Sequence, residues 1–312
     1  MSERQIELDA HEADNGSRLD KFLAQRIEGV GRQKAAALCA AGRVRIDGQR
    51  AKKSALVMAG ARVTVQLDEP EFVAPEPDLP LEVRLERAEL VVVNKPAGMP
   101  SAPLDTGERG TLCGALLARY PEMRSVGYRV REPGIVHRLD TQTSGLVLAA
   151  RTTEAFTRLS QALELEAIRK RYLAVVAPAG LAESGEIARA LAPDAAHPER
   201  VRVLEPGQLT GYARHKVTRY RVLQTGAGRA LLELDVSSAF RHQIRAHLAS
   251  IGHPIVGDVV YRGEPAAELG ARHALHASEI SWSGDATLSG FTVSEPLPAE
   301  LGALLGRFER EY

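Results

Sequence analysis

Residues Pro133 to Gly145 read PGIVHRLDTQTSG, and the apolar run LVLAA follows to Ala150. Two short apolar stretches, Gly134–His137 and Leu146–Ala150, bracket a loop of charged and hydroxyl side chains. Apolar runs this short, bounded by proline and glycine, predict buried strands. The carboxylate between them, Asp140, has two readings. A lone aspartate in a loop is ordinarily a turn residue that accepts from nearby backbone amides. Here His137, Arg138, Asp140, Thr143, Ser144 and Gly145 crowd into nine positions. Loops held by rigid strands are also where reactive groups sit.

Working outward, Thr153–Leu165 has helical spacing, and Tyr172–Val176 and Ala230–Val236 read as strands. His242–Ser250 reads as a helix with Ile244 and Leu248 on one face, and Leu90–Val93 as a buried strand ending at Asn94-Lys95-Pro96. Strands and helices alternate without a regular strand–helix–strand repeat. The expected fold class is therefore α+β, on a mixed or antiparallel sheet. Two more segments could carry chemistry. In RKRYLAVV, Arg169 to Val176, Tyr172 stands at the mouth of a strand behind three cations. Its plain reading is a half-buried sheet tyrosine. In FRHQIRAHLASIGHPIVGD, Phe240 to Asp258, Arg241 and Arg245 are four apart and share a helix face. That pattern also fits an ordinary amphipathic helix.

The N-terminal part is different in character. Residues 1–14 read as a short polar lead-in. Leu19, Phe22, Leu23 and Ile27 recur at helical spacing, and a second helix over Arg32–Ala41 should stop at Gly42. RVRIDGQR alternates apolar and polar around Asp47-Gly48, a hairpin signal, and Ala61–Leu67 reads as a third strand. From Asn15 to Leu67 eleven Lys and Arg face three Asp and Glu, a net charge of +8. From Asp68 to Glu89 eight acidic residues face two basic ones, a net of −6, with Pro70, Pro75, Pro77 and Pro80 among them. Whole-chain neutrality, 40 against 40, conceals this division. The expected organisation is a basic module over 15–68, an acidic proline-rich linker over 69–86 and a larger domain over 87–312.

Composition, 44% hydrophobic and 26% charged, is ordinary for a globular protein. No apolar run reaches the roughly 18 residues that span a bilayer. The start, MSERQIELDA, has no apolar signal core, so a cytoplasmic location away from membranes is expected. Cys39 and Cys113 lie far apart and match no metal-ligand spacing.

Taken in order, the three segments resemble the motifs of the RluA-type pseudouridine synthases. HRLDxxTSG is matched at His137, Arg138, Leu139, Asp140, Thr143, Ser144 and Gly145. KxYxAxV appears as Lys170, Tyr172, Ala174 and Val176, and HQIRxHL as His242, Gln243, Ile244, Arg245, His247 and Leu248. NKPAG (Asn94–Gly98), GTL (Gly110–Leu112), GHPIVGD (Gly252–Asp258) and LHA (Leu275–Ala277) agree as well. The head is similar to the small RNA-binding S-four module, through RLDKFLA at Arg18–Ala24 and GRVRIDG at Gly42–Gly48. Two stretches depart from the pattern. Ala239, Phe240 and Arg241 replace the commoner Gly-Arg-Thr, and MPSAPLDTGERG follows NKPAG in place of a more apolar stretch.

The resemblance implies isomerisation of uridine in RNA: a C–N bond is broken, the uracil rotates and a C–C bond is made. It makes Asp140 the catalytic carboxylate, without saying whether it attacks sugar or base or removes a proton. It pairs Arg245 with Asp140, and it stacks Tyr172 on the uracil with a part in late proton removal. It makes Arg138 the residue that holds or replaces the flipped nucleotide, beside His137. Arg18, Lys21, Arg43 and Arg45 of the head become candidate RNA contacts. The chemistry calls for no cofactor and no metal. Large-subunit ribosomal RNA is the first expected partner, transfer RNA the second, and a monomer the expected state. Competing readings are a silent RNA-binding protein on this scaffold and a metallohydrolase built on His242, His247, His253, His273 and His276. The histidines match no zinc spacing. A serine hydrolase fails because Leu146 stands where a nucleophile elbow at Ser144 needs glycine.

Overall fold

Ile6 and Leu8 alternate with Gln5, Glu7 and Asp9, and this short alternation is enough to make a strand. It corrects the reading of residues 1–14 as a lead-in. The computed structural model describes residues 3–27, 30–68, 73–104, 107–205, 207–208, 212–236 and 239–306. These fall into two units, Met1–Glu71 and Phe72–Tyr312.

The first unit runs β1 (Glu3–Asp9), β2 (Ser17–Arg18), α1 (Leu19–Arg26), α2 (Arg32–Ala40), β3 (Val44–Ile46), β4 (Gln49–Arg50), β5 (Leu56–Val57) and β6 (Arg62–Asp68). Its sheet has the order β1-β6-β3-β4, and β2 pairs with β5. Phe22 and Leu23 of α1 and Leu38 of α2 pack with Val44, Val63 and Val65 of the sheet. The β3–β4 turn places Asp47 at φ +48° and Gly48 at φ +81°. Two positive φ values match the twist of a two-residue hairpin, and Asp-Gly supplies them.

The second unit continues with β7 (Glu82–Glu86), β8 (Leu90–Lys95), α3 (Leu112–Arg119), β9 (Ser144–Ala150), α4 (Thr153–Glu164) and β10 (Arg169–Val176). Then follow β11 (Ser184–Pro193), β12 (Val201–Leu204), β13 (Arg214–Gly226), β14 (Arg229–Asp235), α5 (Gln243–Ser250), β15 (Leu275–Gly284), β16 (Ser289–Ser294) and α6 (Ala299–Ala303). The ten strands form one sheet in the order β12-β11-β13-β14-β10-β15-β9-β8-β7, with β16 also on β15. Among the described residues only the β9–β15 pairing is parallel, so the sheet is mixed. Val91, Val93, Val147 and Ala149 join one core with α3 and α5; Leu90, Val92, Leu146 and Leu148 join another with Phe156 and Leu159 of α4. Burial of both faces explains why β8 and β9 read as continuous apolar runs.

Two segments differ from expectation. Residues 134–137 form no strand; Ile135 makes a single bridge to Ala149, beside Pro133 and Gly134 at φ +68°. Part of the expected linker belongs to the second unit, since β7 adds to the sheet edge beside β8 and buried Glu76 accepts from the Gly110 amide at 2.9 Å. Val83 and Leu85 alternate with charged residues there, as suits an edge strand.

The parallel register sets Gly145 opposite Ala277. Gly145 has φ +114°, and a Cβ there would lie 2.2 Å from the Ala277 carbonyl oxygen. Gly145→Ala is therefore expected to destabilise the protein by about 2–3 kcal/mol. Urea unfolding checks this, and an unchanged midpoint would contradict the packing.

Candidate active site

The loop that carries Asp140 is fixed from beneath by backbone bonds. Buried Lys95, at 0% exposure, donates to the carbonyls of Pro96, Met99 and Thr141 at 2.9, 2.7 and 3.2 Å. The Gly98 amide donates to the same Thr141 carbonyl at 2.8 Å. Ser101 Oγ donates to the Leu139 carbonyl and accepts from the Leu139 amide, at 2.8 and 3.1 Å. Thr143 Oγ1 bonds His273 Nε2 at 2.8 Å, and Ser144 Oγ meets both His276 Nδ1 and Arg272 Nη2 at 2.8 Å. The hydroxyls of the TSG motif thus hold the loop in place.

The Asp140 carboxylate is not used this way. Its side chain is 27% exposed, and among the described residues its one hydrogen bond is from Arg245 Nη1, at 2.7 Å to Oδ2. Asp140 does open a turn, its carbonyl accepting from the Thr143 amide at 3.0 Å, but no backbone amide of the described residues bonds its carboxylate, so the side chain is not spent on the turn. Arg245 stands in the first turn of α5. Its Nε and Nη2 grip Asp258 Oδ2 and Oδ1 at 2.6 and 2.9 Å, and its Cζ lies 5.3 Å from the Tyr261 ring centre. The Asp258 side chain is 1% exposed and that of Arg245 7%. A bidentate pair on one edge fixes the guanidinium, and the remaining nitrogen reaches Asp140.

Burial works to raise the Asp140 pKa, but His242 and Arg245 outweigh it and hold the carboxyl below the ordinary aspartate range. Burial pushes His242 down to about 4, although Asp140 opposes this, so at neutral pH Arg245 carries the effect. His242 caps α5 in the left-handed region at φ +55°, with Nε2 3.8 Å from Asp140 Oδ2 and Nδ1 3.2 Å from the Tyr261 hydroxyl. A left-handed non-glycine residue stores strain that its surroundings must offset.

Tyr172 is buried on β10, where a register shift between Arg171 and Tyr172 marks a bulge against β15. It lines a small cavity of about 60 Å³ with Asp140, Phe240 and Arg245. Burial and then the Asp140 charge push its phenol well above the ordinary range, so it is neutral at neutral pH. A larger cavity of about 960 Å³ opens over Asp140 and is walled by His137, Arg138, Lys170, Phe240 and Arg241. Phe240 and Arg241 belong to the departure from Gly-Arg-Thr, and both are cavity wall.

The remaining expected residues are placed less uniformly. Arg138 is exposed on the cavity wall and pairs with Glu132 at 2.8 Å. His137 lines the cavity too, but its Nε2 accepts from the Leu148 amide at 3.0 Å. Burial, then Lys170, push its pKa down to about 3. It is therefore a neutral ring holding β9, and offers no positive charge to phosphate. In the first unit Lys21 is exposed on α1, and Arg18 pairs with Asp20 at 2.8 Å. Arg45 is exposed on β3 beside buried Val44, and Arg43 is half-exposed just before that strand. Arg45 also donates to the Gly48 carbonyl at 3.0 Å.

The five histidines of the metal reading each have a separate partner. His247 bonds Thr218, His253 the Ala177 carbonyl, and the other three Tyr261, Thr143 and Ser144. Among the described residues no three His, Cys, Asp or Glu side chains converge as metal ligands. Ser144 is buried and tied to Arg272, which removes the serine-nucleophile reading.

The sequence profile of the RNA pseudouridylate synthases matches residues 89–250, which hold Asp140, Tyr172 and Arg245. The chain belongs to the RNA pseudouridylate synthase family. This synthase carries an RNA-binding S4 domain ahead of its catalytic part, matched over residues 17–63. It is 37% identical to an uncharacterized RNA pseudouridine synthase of Chloroflexus aurantiacus, over 94% of this chain and 90% of that one. It is 32% identical to ribosomal large subunit pseudouridine synthase D of Xanthomonas campestris, over 95% and 90%. The solved structure of human RNA pseudouridylate synthase domain containing 4 aligns with a TM-score of 0.55 at 21% identity. That alignment covers 72% of this chain and 92% of the human one, and bears on the fold alone. The protein is an RNA pseudouridine synthase, an isomerase, with an α+β catalytic part.

Asp258 and Lys95 received no role from the sequence. Both lie in blocks that matched, GHPIVGD and NKPAG, and membership of those blocks was the available signal.

Proposed function

We propose that this synthase isomerises uridines of large-subunit ribosomal RNA, acting in the cytoplasm as a monomer. The observation that carries the mechanism is the chain of contacts Asp140–Arg245–Asp258 at the floor of an open cavity. In this reading the target uridine leaves its stack and enters the cavity, at an unstacking cost of a few kcal/mol. Tyr172 and Phe240 pack against the base. Asp140, held ionised and aimed by Arg245, forms the transient bond or takes the proton that lets the glycosidic bond break. Arg138 holds the nucleotide or fills the gap it leaves. Support for the ribosomal target comes from relatives in Xanthomonas campestris and Yersinia pestis, both named ribosomal large subunit pseudouridine synthase D.

The test is tritium release from large-subunit RNA transcribed with 5-tritiated uridine, joined to pseudouridine mapping in a strain lacking the gene. Sites lost from large-subunit RNA would support the reading, and sites lost only from transfer RNA would redirect it. The head should contribute through phosphate charge. Replacing Arg18, Lys21, Arg43 and Arg45 together by glutamine is expected to flatten the salt dependence of RNA binding. For every duplex phosphate that is no longer neutralised, the log–log slope should fall by about 0.9. An unchanged slope would show that these four residues do not face the RNA.

A further inference from the structure

Lys170 matched the KxYxAxV motif, yet nothing in the mechanism above uses it. It is the second residue of β10 and is only 4% exposed, but it lines the cavity over Asp140. Among the described residues its ammonium donates no hydrogen bond and has no carboxylate within 4.0 Å. Lys95 contrasts with it, because that fully buried lysine is satisfied by three carbonyls. The charged groups nearest Lys170 do not neutralise it. Lys216 on β13 repels it, Glu166 in the α4–β10 turn attracts it from beyond ion-pair range, and His137 is neutral. Burial, then Lys216, push its pKa down to about 8 against the pull of Glu166, so at neutral pH it is still mostly charged.

The stem is buried along β10 while the ammonium tip opens into the cavity, where no protein group among the described residues answers its charge; an unbranched apolar chain would fill the same space without desolvating an ammonium. The position makes physical sense when a ligand brings the missing negative charge. Lysine offers a compact point charge suited to a phosphate oxygen. Arg241 and Arg138, the latter paired with Glu132, stand on the same cavity wall together with Glu108 and Glu164, so the wall is mixed in sign and Lys170 is its buried-stem cation without a carboxylate of its own. We propose that Lys170 is the anchor for one backbone phosphate of the substrate strand, beside the nucleotide held over Asp140. The inference rests on the reading that RNA enters this cavity.

The test uses the full chain and in vitro transcribed large-subunit RNA. In Lys170→Met and Lys170→Gln the Kd should rise about tenfold. The log–log salt slope should fall by about 0.7, the value for one contact to a single strand. The loss should fall on KM rather than kcat, both variants should melt at or above the wild-type temperature, and Lys170→Arg should keep the wild-type slope. Unchanged slopes in both neutral variants would overturn the proposal. So would neutral variants that fail to fold or that lose kcat alone, since either result makes the lysine structural. A wild-type protein that releases no tritium from this RNA sinks the parent reading instead, so the two failures are distinguishable.

Discussion

Asp140→Asn is expected to lower turnover by at least about 10⁴-fold, about 5.4 kcal/mol of barrier, while RNA affinity and folding stay close to wild type. The substitution keeps the shape and removes both the charge and the nucleophilic oxygen pair. Among the described residues no other carboxylate at the cavity floor can replace them. Asp258 is buried and held on both oxygens by Arg245, and Glu108 and Glu164 stand on the cavity wall away from the guanidinium. Folding should tolerate the change because Arg245 keeps its bidentate partner when Asp140 is neutral. Since the folded-state pKa of Asp140 is depressed, its stabilising effect is present above the unfolded pKa and is lost as pH falls through the folded value. The acid limb of wild-type activity therefore belongs below the ordinary aspartate range. Tritium release under single-turnover conditions checks the rate, and filter binding checks affinity. Activity within tenfold of wild type would remove Asp140 from the chemistry.

Much of this site was legible because its residues lie in short, ordered segments. Asp140, Tyr172 and Arg245 were marked by their neighbours, and helical spacing, a glycine stop and short apolar runs located α1, α2, α4, α5, β8 and β10. What stayed hidden depends on three dimensions. Asp258 meets Arg245 only because the chain turns back after α5, thirteen residues on. His137 sits in the reactive loop by sequence, yet its ring nitrogen is taken by the amide of Leu148. β13 is about half exposed and carries charges on both faces, and its alternation, with Thr218, Tyr220 and Val222 inward between Arg219 and Arg221, is short and interrupted by charge. β1 rests on two half-buried apolar residues, too few to stand out from a polar lead-in. Lys170 was visible as a letter in a motif, and its lack of a partner appears only in the fold.

Arg245→Met should be the most damaging change to the protein as a whole, because Arg245 serves two carboxylates of unequal burial. Without it, Asp258 is left as a carboxylate with a 1% exposed side chain and no cation on it. Breaking a buried pair from one side typically destabilises by about 3–5 kcal/mol, far more than removing both partners together. Asp140 loses its aim and the field that keeps its pKa low, so burial, the largest influence on it, would then raise that pKa. Loss of stability and loss of activity therefore share one residue but have separable causes. The double variant Arg245→Met with Asp258→Asn removes the stranded charge. It is expected to recover most of the melting temperature and none of the turnover. Recovery of both would mean that Arg245 only holds α5 in place. Recovery of neither would mean that Asp258 supports the fold through the α5-to-β15 connection, where it also accepts from the Tyr261 amide at 3.4 Å, more than through its ion pair. A melting curve and a turnover assay on three proteins separate these outcomes, and the expected one assigns the Asp258 edge of the guanidinium to stability and the Asp140 edge to catalysis.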